Sequence, residues 1–209
     1  MTAVTRELIE RSLAGTSPGN ALAAETPTDD LPAGLRACLP AALAPAAVLV
    51  PLLERPGGIY ALLTERAAGL THHAGQIAFP GGRIEADDAG PLAAALREAG
   101  EEIGLSARLI EPAGYLDTCL TATGFAVVPV VAFVGASFHA HLDSREVRAV
   151  FEAPLEYLLD PANHVRSTRP VRGVPVPVYE IAWAGRLIWG ATAAMLVGFS
   201  RRISLNKQG

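Results

Sequence analysis

The sequence predicts an α+β domain in which a mixed β-sheet is packed between helices. Three observations carry this expectation. Short runs rich in Val, Ile, Leu and aromatic residues recur between Gly- and Pro-containing turns, as strands do. Two strongly helical segments are interleaved with those runs, with no internal repeat at a fixed period. Half of the 209 residues are hydrophobic and only 18% are charged, enough apolar material for a sizeable core in one domain.

Taken in order, residues 3–14 place Val4, Leu8, Ile9 and Leu13 near helical spacing, which predicts a short amphipathic helix. Residues 16–34, TSPGNALAAETPTDDLPAG, read as a loop or linker. The expected organisation is therefore a helix-and-linker appendage over 1–34 and a compact domain over 35–209. AAVLVPLLE (46–54) and GIYALLTER (58–66) flank RPGG and predict a hairpin. GQIAFPGG predicts a short strand ending in a turn. PLAAALREAGEEIG (91–104) predicts a helix, with Pro91 in its first turn, alanines within and Gly104 as its cap. ARLIEPAGYLDT and GFAVVPVVAFVG predict strands, and Pro129 predicts an edge or a bulge for the second. EVRAVFEAPLEYLLD mixes a strand with a short helix. VPVYEIAWAGRLIWG predicts a hairpin turning at Ala184-Gly185. ATAAMLVGFSRRI (191–203) predicts a closing helix whose basic last turn suits its dipole.

A net charge of −4 argues against a nucleic-acid binder that depends on phosphate contacts. The two cysteines, Cys38 and Cys119, are far apart and form no metal-ligand spacing, so free thiols in a reducing cytosol are expected. The first residues lack the apolar core of a secretory signal. The most apolar run, Leu39 to Leu53, is too short to span a bilayer and contains three prolines. A cytoplasmic protein without a membrane partner is the expectation.

The feature that needs explaining is the concentration of acid in REAGEE. On a helix, Glu98, Glu101 and Glu102 share one face, and like charges at that spacing repel. A solvated acidic face is one reading. The other is a hard divalent cation, because Mg²⁺ takes one or two carboxylates together with waters and phosphate oxygens. The context favours the cation. Gly81-Gly82 precedes the helix and lets backbone approach a ligand and offer a carbonyl, a loop carries Glu85, Asp87 and Asp88, and Arg97 can hold a neighbouring carboxylate.

REAGEEIGL (97–105) resembles the second half of the Nudix box, with Gly82 as the leading glycine of that box. The interval from Gly82 to Arg97 is one residue longer than usual, and Asp87 or Asp88 stands where a glutamate is expected. Upstream, LLTERAAGLTHHAGQIAFPGG (62–82) is similar to the signature of the Nudix coenzyme A pyrophosphatases, in which the longer box is usual. Thr71 stands where that signature has arginine. Similarity extends through TATGFAVVPVV (121–131), FEAPLEYLLDPANH (151–164) and IWGATAAMLVGFSRRI (188–203), so it covers about residues 46–203.

The resemblance implies a Nudix fold, a mixed sheet between helices in an α/β/α arrangement. It implies hydrolysis of a diphosphate with Mg²⁺ or Mn²⁺ held by Glu98, Glu102, Glu101 and the Gly81 carbonyl, with Arg97 among the catalytic set. Coenzyme A or an acyl-coenzyme A would yield 3′-phospho-AMP and a 4′-phosphopantetheine. ADP-ribose, another nucleoside diphosphate derivative or an oxidised nucleotide is the alternative substrate, and a catalytically silent binding module a second alternative. A homodimer is expected on the same ground. Arg66, Arg83 and Gly82 are the expected substrate contacts, with a plain surface role open for the arginines. His72-His73 reads as a loop pair. Glu146 and Glu152 could reach the site, although solvated side chains are the favoured reading. Trp183, Trp189 and Phe125 read as packing aromatics. The residue acting as general base is left open.

Overall fold

The computed structural model describes residues 4–18, 33–69, 74–171 and 173–206. Helix α1 spans Arg6–Leu13, with Thr5 as its N-cap. Helix α2 (Ala33–Cys38) lies at the end of the expected linker. Strands β1 (Ala44–Arg55) and β2 (Gly58–Arg66) form the expected hairpin. Next come β3 (Ile77–Ala78), β4 (Gly81–Arg83) and helix α3 (Pro91–Ile103). The chain continues through β5 (Ile110–Tyr115), β6 (Cys119–Leu120), β7 (Phe125–Val134), β8 (Val147–Pro154) and α4 (Leu155–Leu159). It closes with β9 (Val165–Val171), β10 (Val174–Trp183), β11 (Arg186–Trp189) and α5 (Ala191–Asn206).

The main sheet has the path β3-β2-β1-β7-β5, with β4 on β1, β6 on β7 and β8 on β2. β1 and β7 run parallel while their other pairings are antiparallel, so the sheet is mixed, as expected. Alternation along β1 sorts its side chains cleanly. Ala46, Val50 and Leu52 face one core with α1, α4 and α5, whereas Ala47, Leu49 and Leu53 face the other with α3. β7 divides in the same way, Val127, Val131 and Phe133 against Val130, Ala132 and Val134. Burial on both faces explains why both strands read as near-continuous apolar runs. No helix among the described residues is long and apolar enough to cross a membrane.

Four local expectations differ from the structure. Pro129 lies in an interior strand rather than at an edge. It sits where the partner of β7 passes from β5, paired at Tyr115↔Val130, to β6, paired at Cys119↔Val127, and its carbonyl accepts from Leu116 N at 3.0 Å. The missing N–H falls at the break between two partners, where no ladder bond is lost. Gly81-Gly82 is strand rather than turn, paired with Val48 and Ala47 of β1. β9 adds a third strand to the expected β10–β11 hairpin, whose polar, arginine-rich sequence hides its strand character. The terminal helices differ in their ends, the first beginning at Arg6 and the last running on to Asn206, which leaves no basic residue in its last turn.

The α1 helix is tied into the domain. Leu8, Ile9 and Leu13 are buried in the core beside α5. The Arg6 guanidinium lies 4.2 Å from the Phe133 ring centroid and pairs with Glu10 at 2.7 Å and Glu111 at 2.6 Å. Thr16 Oγ1 accepts from Tyr115 N at 2.9 Å. Ile9 is fully buried, so Ile9→Ala should destabilise the whole domain by about 2–5 kcal/mol. Urea unfolding followed by tryptophan fluorescence reads this directly, and an unchanged midpoint would contradict the packing of α1.

Candidate active site

The site is built where β4 passes between β1 and α3. Gly81 has φ +154°, and a Cβ there would lie 2.3 Å from the Ala47 carbonyl oxygen. A Cβ on Gly82 would lie 2.3 Å from Glu98 Oε1. Two successive residues without side chains therefore bring backbone against β1 on one side and the helix carboxylates on the other. Gly81 N–H donates to Glu102 Oε2 at 3.3 Å. In an extended strand the N–H and C=O of one residue face the same edge, so the Gly81 carbonyl lies on the edge of β4 away from β1, as its N–H does.

The three helix glutamates are not equivalent. Glu102 is 3% exposed, the one charged residue that is buried among the described residues. Burial pushes its carboxyl from the usual 4.5 to about 7, aided by Glu98 and Glu146 and opposed by Arg66 and the Gly81 N–H. Glu98 is partly buried, and burial raises its carboxyl against the pull of Arg97. The Glu101 side chain is 61% exposed and turns toward Arg97.

Arg97 clasps the loop to the helix. It donates to Asp88 at 3.0 and 3.2 Å, to the Arg83 carbonyl at 3.1 Å, to Glu98 at 3.1 Å and to Glu101 at 3.3 Å. Of the two loop aspartates, Asp88 is the one engaged, and its hydrogen bonds from Arg97 hold its carboxyl below the ordinary range.

Arg66 enters from the end of β2, at a register shift between Glu65 and Arg66. Such bulges re-aim side chains. Its Nη1 is 3.5 Å from Glu102 Oε1, a weak contact, and its buried Nε has no hydrogen-bond partner among the described residues. Arg83 is exposed, with its guanidinium 5.3 Å from the Phe125 ring centroid.

Arg66, Gly81, Gly82 and Arg83 line one part of a cavity of about 560 Å³. Its remaining wall is mostly apolar and includes Phe125, Val127, Tyr179, Trp189 and Met195. Phe125 and Trp189, read from the sequence as packing aromatics, thus also line the cavity. Trp183 does pack, tilted against Tyr157 with ring centroids 4.7 Å apart. Cys119 lines the same cavity as an inert thiol, since burial pushes it up to about 12. Glu146 influences both Glu98 and Glu102 from the segment before β8. Glu152 is instead taken by Arg55, which donates to both of its oxygens at 2.7 and 2.9 Å. Thr71, His72 and His73 lie outside the described residues.

The donor set suits a hard cation. Among the described residues no three acidic, His or Cys side chains converge into a closed cage. Glu98 raises the Glu102 carboxyl, and Arg66 meets Glu102 only through a long contact of 3.5 Å. Mg²⁺ or Mn²⁺, completed by waters and phosphate oxygens, matches that arrangement.

Residues 43–173 match the NUDIX domain family. Several relatives carry the name "Uncharacterized Nudix hydrolase NudL". That of Enterobacter sp. (strain 638) is 38% identical over 162 residues, 77% of this chain and 83% of its own. That of Klebsiella pneumoniae (strain 342) is 41% identical over 152 residues, 72% of this chain and 78% of its own. Among solved structures, the Nudix hydrolase RenU from M. smegmatis shares the fold with a TM-score of 0.51 at 20% identity, covering 80% of this chain and 88% of that one.

The raised Glu102 carboxyl gives a pH dependence of definite sign. In the metal-free protein the folded state holds the Glu102 proton more tightly than the unfolded chain. The resulting stability is fully present below the ordinary value of 4.5 and lost as pH rises through about 7. The loss is on the order of 3 kcal/mol between about pH 5 and about pH 8. Scanning calorimetry with chelator should show a melting temperature that falls across this range, and Glu102→Gln should flatten the fall. Parallel curves for the two proteins would refute the assignment.

Proposed function

This chain belongs to the Nudix family and is a pyrophosphohydrolase, and we propose that its substrate is coenzyme A or an acyl-coenzyme A. The observation carrying this reading is the opening of a mostly apolar cavity of about 560 Å³ directly beside the Gly81-Gly82 and Arg66 side of the glutamate site. A diphosphate joined to a long, weakly polar arm fits that pairing of an ionic site with an apolar one. The likeness of residues 62–82 to the coenzyme A pyrophosphatase signature supports the same substrate.

In this reading Glu98, Glu102 and the Gly81 carbonyl hold the divalent metal, with Glu101 as an outer carboxylate. When bound, the metal supplies charge neutralisation for the diphosphate and activation of water. Arg66 and Arg83, which line the cavity beside Gly81 and Gly82, offer their guanidiniums to the phosphate oxygens. Arg97 holds Glu98 and the Asp88 loop in register. Glu146 is exposed and comes from a different element than the glutamate helix. It is suited to accept the proton of the attacking water. Water adds to one phosphorus, the bridging P–O bond breaks, and two phosphomonoesters leave, 3′-phospho-AMP and 4′-phosphopantetheine or its acyl form.

Chromatographic product analysis with coenzyme A and ADP-ribose, each with Mg²⁺, Mn²⁺ or chelator, tests this reading. Metal-dependent release of 3′-phospho-AMP is expected, and Glu102→Gln should lower kcat on the order of a hundredfold or more. Turnover of ADP-ribose alone would retain the hydrolytic chemistry and replace the substrate, a reading that Thr71 in the arginine position favours. Near wild-type turnover in Glu102→Gln would remove that residue from the metal set.

A further inference from the structure

Glu146 is carried on a turn that is tied to the acidic site at both ends. Asp143 N donates to the Glu102 carbonyl at 3.0 Å and His141 N to the Ile103 carbonyl at 3.0 Å, so the segment hangs from the last turn of α3. Gly104, with φ +68°, permits this approach, since a Cβ there would lie 2.9 Å from His141 Cβ. At the other end the Glu146 carbonyl accepts from Ala67 N at 2.8 Å, next to Arg66. Arg66 returns to the Glu102 carboxylate at 3.5 Å. Glu102, Asp143, Glu146 and Arg66 thus lie on one closed circuit of contacts.

Asp143 makes the turn within this circuit. Its carbonyl accepts from Glu146 N at 3.0 Å and from Val147 N at 2.8 Å. Its Oδ1 accepts from Arg145 N at 2.9 Å, the arrangement in which an Asx side chain stands in for a backbone turn. The Arg145 side chain pairs with the same carboxylate but is 86% exposed, and exposed ion pairs contribute little. The turn therefore depends on an accepting oxygen at position 143 more than on a charge. Glu146, held by this turn, raises the carboxyls of both Glu98 and Glu102.

We propose that Asp143 is a positioning residue whose Asx turn fixes Glu146 against the Glu102–Arg66 pair. Its kinetic consequence rests on the reading of Glu146 as the acceptor of the water proton. Asp143 acts through Glu146 and not on the diphosphate itself.

Three substitutions separate the turn from the ion pair. Asp143→Asn keeps the accepting oxygen and removes the charge, Asp143→Ala removes both, and Arg145→Gln removes the ion pair alone. Asp143→Ala should lower kcat by about tenfold or more with KM little changed, because small displacements of a reacting group are costly. Asp143→Asn and Arg145→Gln should keep the wild-type kcat. Glu146→Gln should lower kcat by about a hundredfold or more. Adding Asp143→Ala to Glu146→Gln should cost nothing further, since residues that act through one another are not additive. Wild-type kcat in Asp143→Ala, an equal loss in Asp143→Asn, or the same fall in both backgrounds would overturn the proposal. Full turnover in Glu146→Gln would overturn it as well and leave diphosphate hydrolysis standing. Amide hydrogen exchange followed by NMR, with chelator present, reads the turn without turnover. Protection of the Arg145 and Glu146 amides should be lost in Asp143→Ala and kept in Asp143→Asn, with β1 and β7 unchanged. That result supports the turn even if no substrate is hydrolysed, in which case the hydrolysis reading alone fails. Unaltered protection in Asp143→Ala, or a loss that spreads to β1 and β7, would overturn the proposal whatever the protein hydrolyses.

Discussion

Everything at the site depends on how closely one short strand approaches its neighbours. β4 is pressed between β1 and the carboxylates of α3, with Gly81 so close to the β1 backbone that a side chain there would not fit. That approach gives Glu102 a backbone N–H for a partner and removes water from around it. The same approach sets Glu98 against the Gly82 backbone. A side chain at Gly81 would meet the backbone of β1 and force the strands apart, whereas one at Gly82 would displace the Glu98 carboxylate and disturb the acidic site. Packing and chemistry are therefore one constraint here.

The charges are distributed so that each acid has a different degree of compensation. Asp88 is fully answered by Arg97, which also reaches Glu98 and Glu101. Glu152 is answered by Arg55 well away from the site. Glu102 is left with a long contact to Arg66 and one amide. A protein that removes water from a carboxylate and then withholds a full counter-charge stores a binding preference for cations. The structural arginines stabilise the loop that brackets the site. The weakly engaged Arg66 keeps donors free within it.

Local chemistry made much of this readable from sequence. Pro91, the alanine run and Gly104 define α3, and Gly104 does adopt the left-handed cap. Helical spacing placed the three glutamates on one face, but periodicity does not say which of three neighbours points at a strand. That depended on β4, whose two glycines look like a turn in isolation. Arg66 was identifiable as a candidate, whereas the bulge that aims it depends on pairing with β8. The cavity walls were the least legible part. Phe125, Tyr179 and Trp189 belong to segments far apart in sequence, and each alone looks like ordinary packing. Pro129 misled because its interior strand changes partner just there, a feature of topology that no local pattern carries.

The parallel pairing of β1 with β7 has a consequence for how the protein comes into being. The partners Ala44 and Phe125 are about 80 residues apart, and the intervening chain contains the hairpin, the glutamate helix and β5. During synthesis at about 5–20 residues per second, β1 therefore waits several seconds for its central neighbour. Through that interval it is a long apolar strand with one side of its ladder open, the other side being paired with β2 and β4. Non-local parallel pairings form slowly and leave edges exposed to aggregation. The protein's yield on overproduction should thus be governed by the time β1 spends unpaired, more than by the stability of the finished fold.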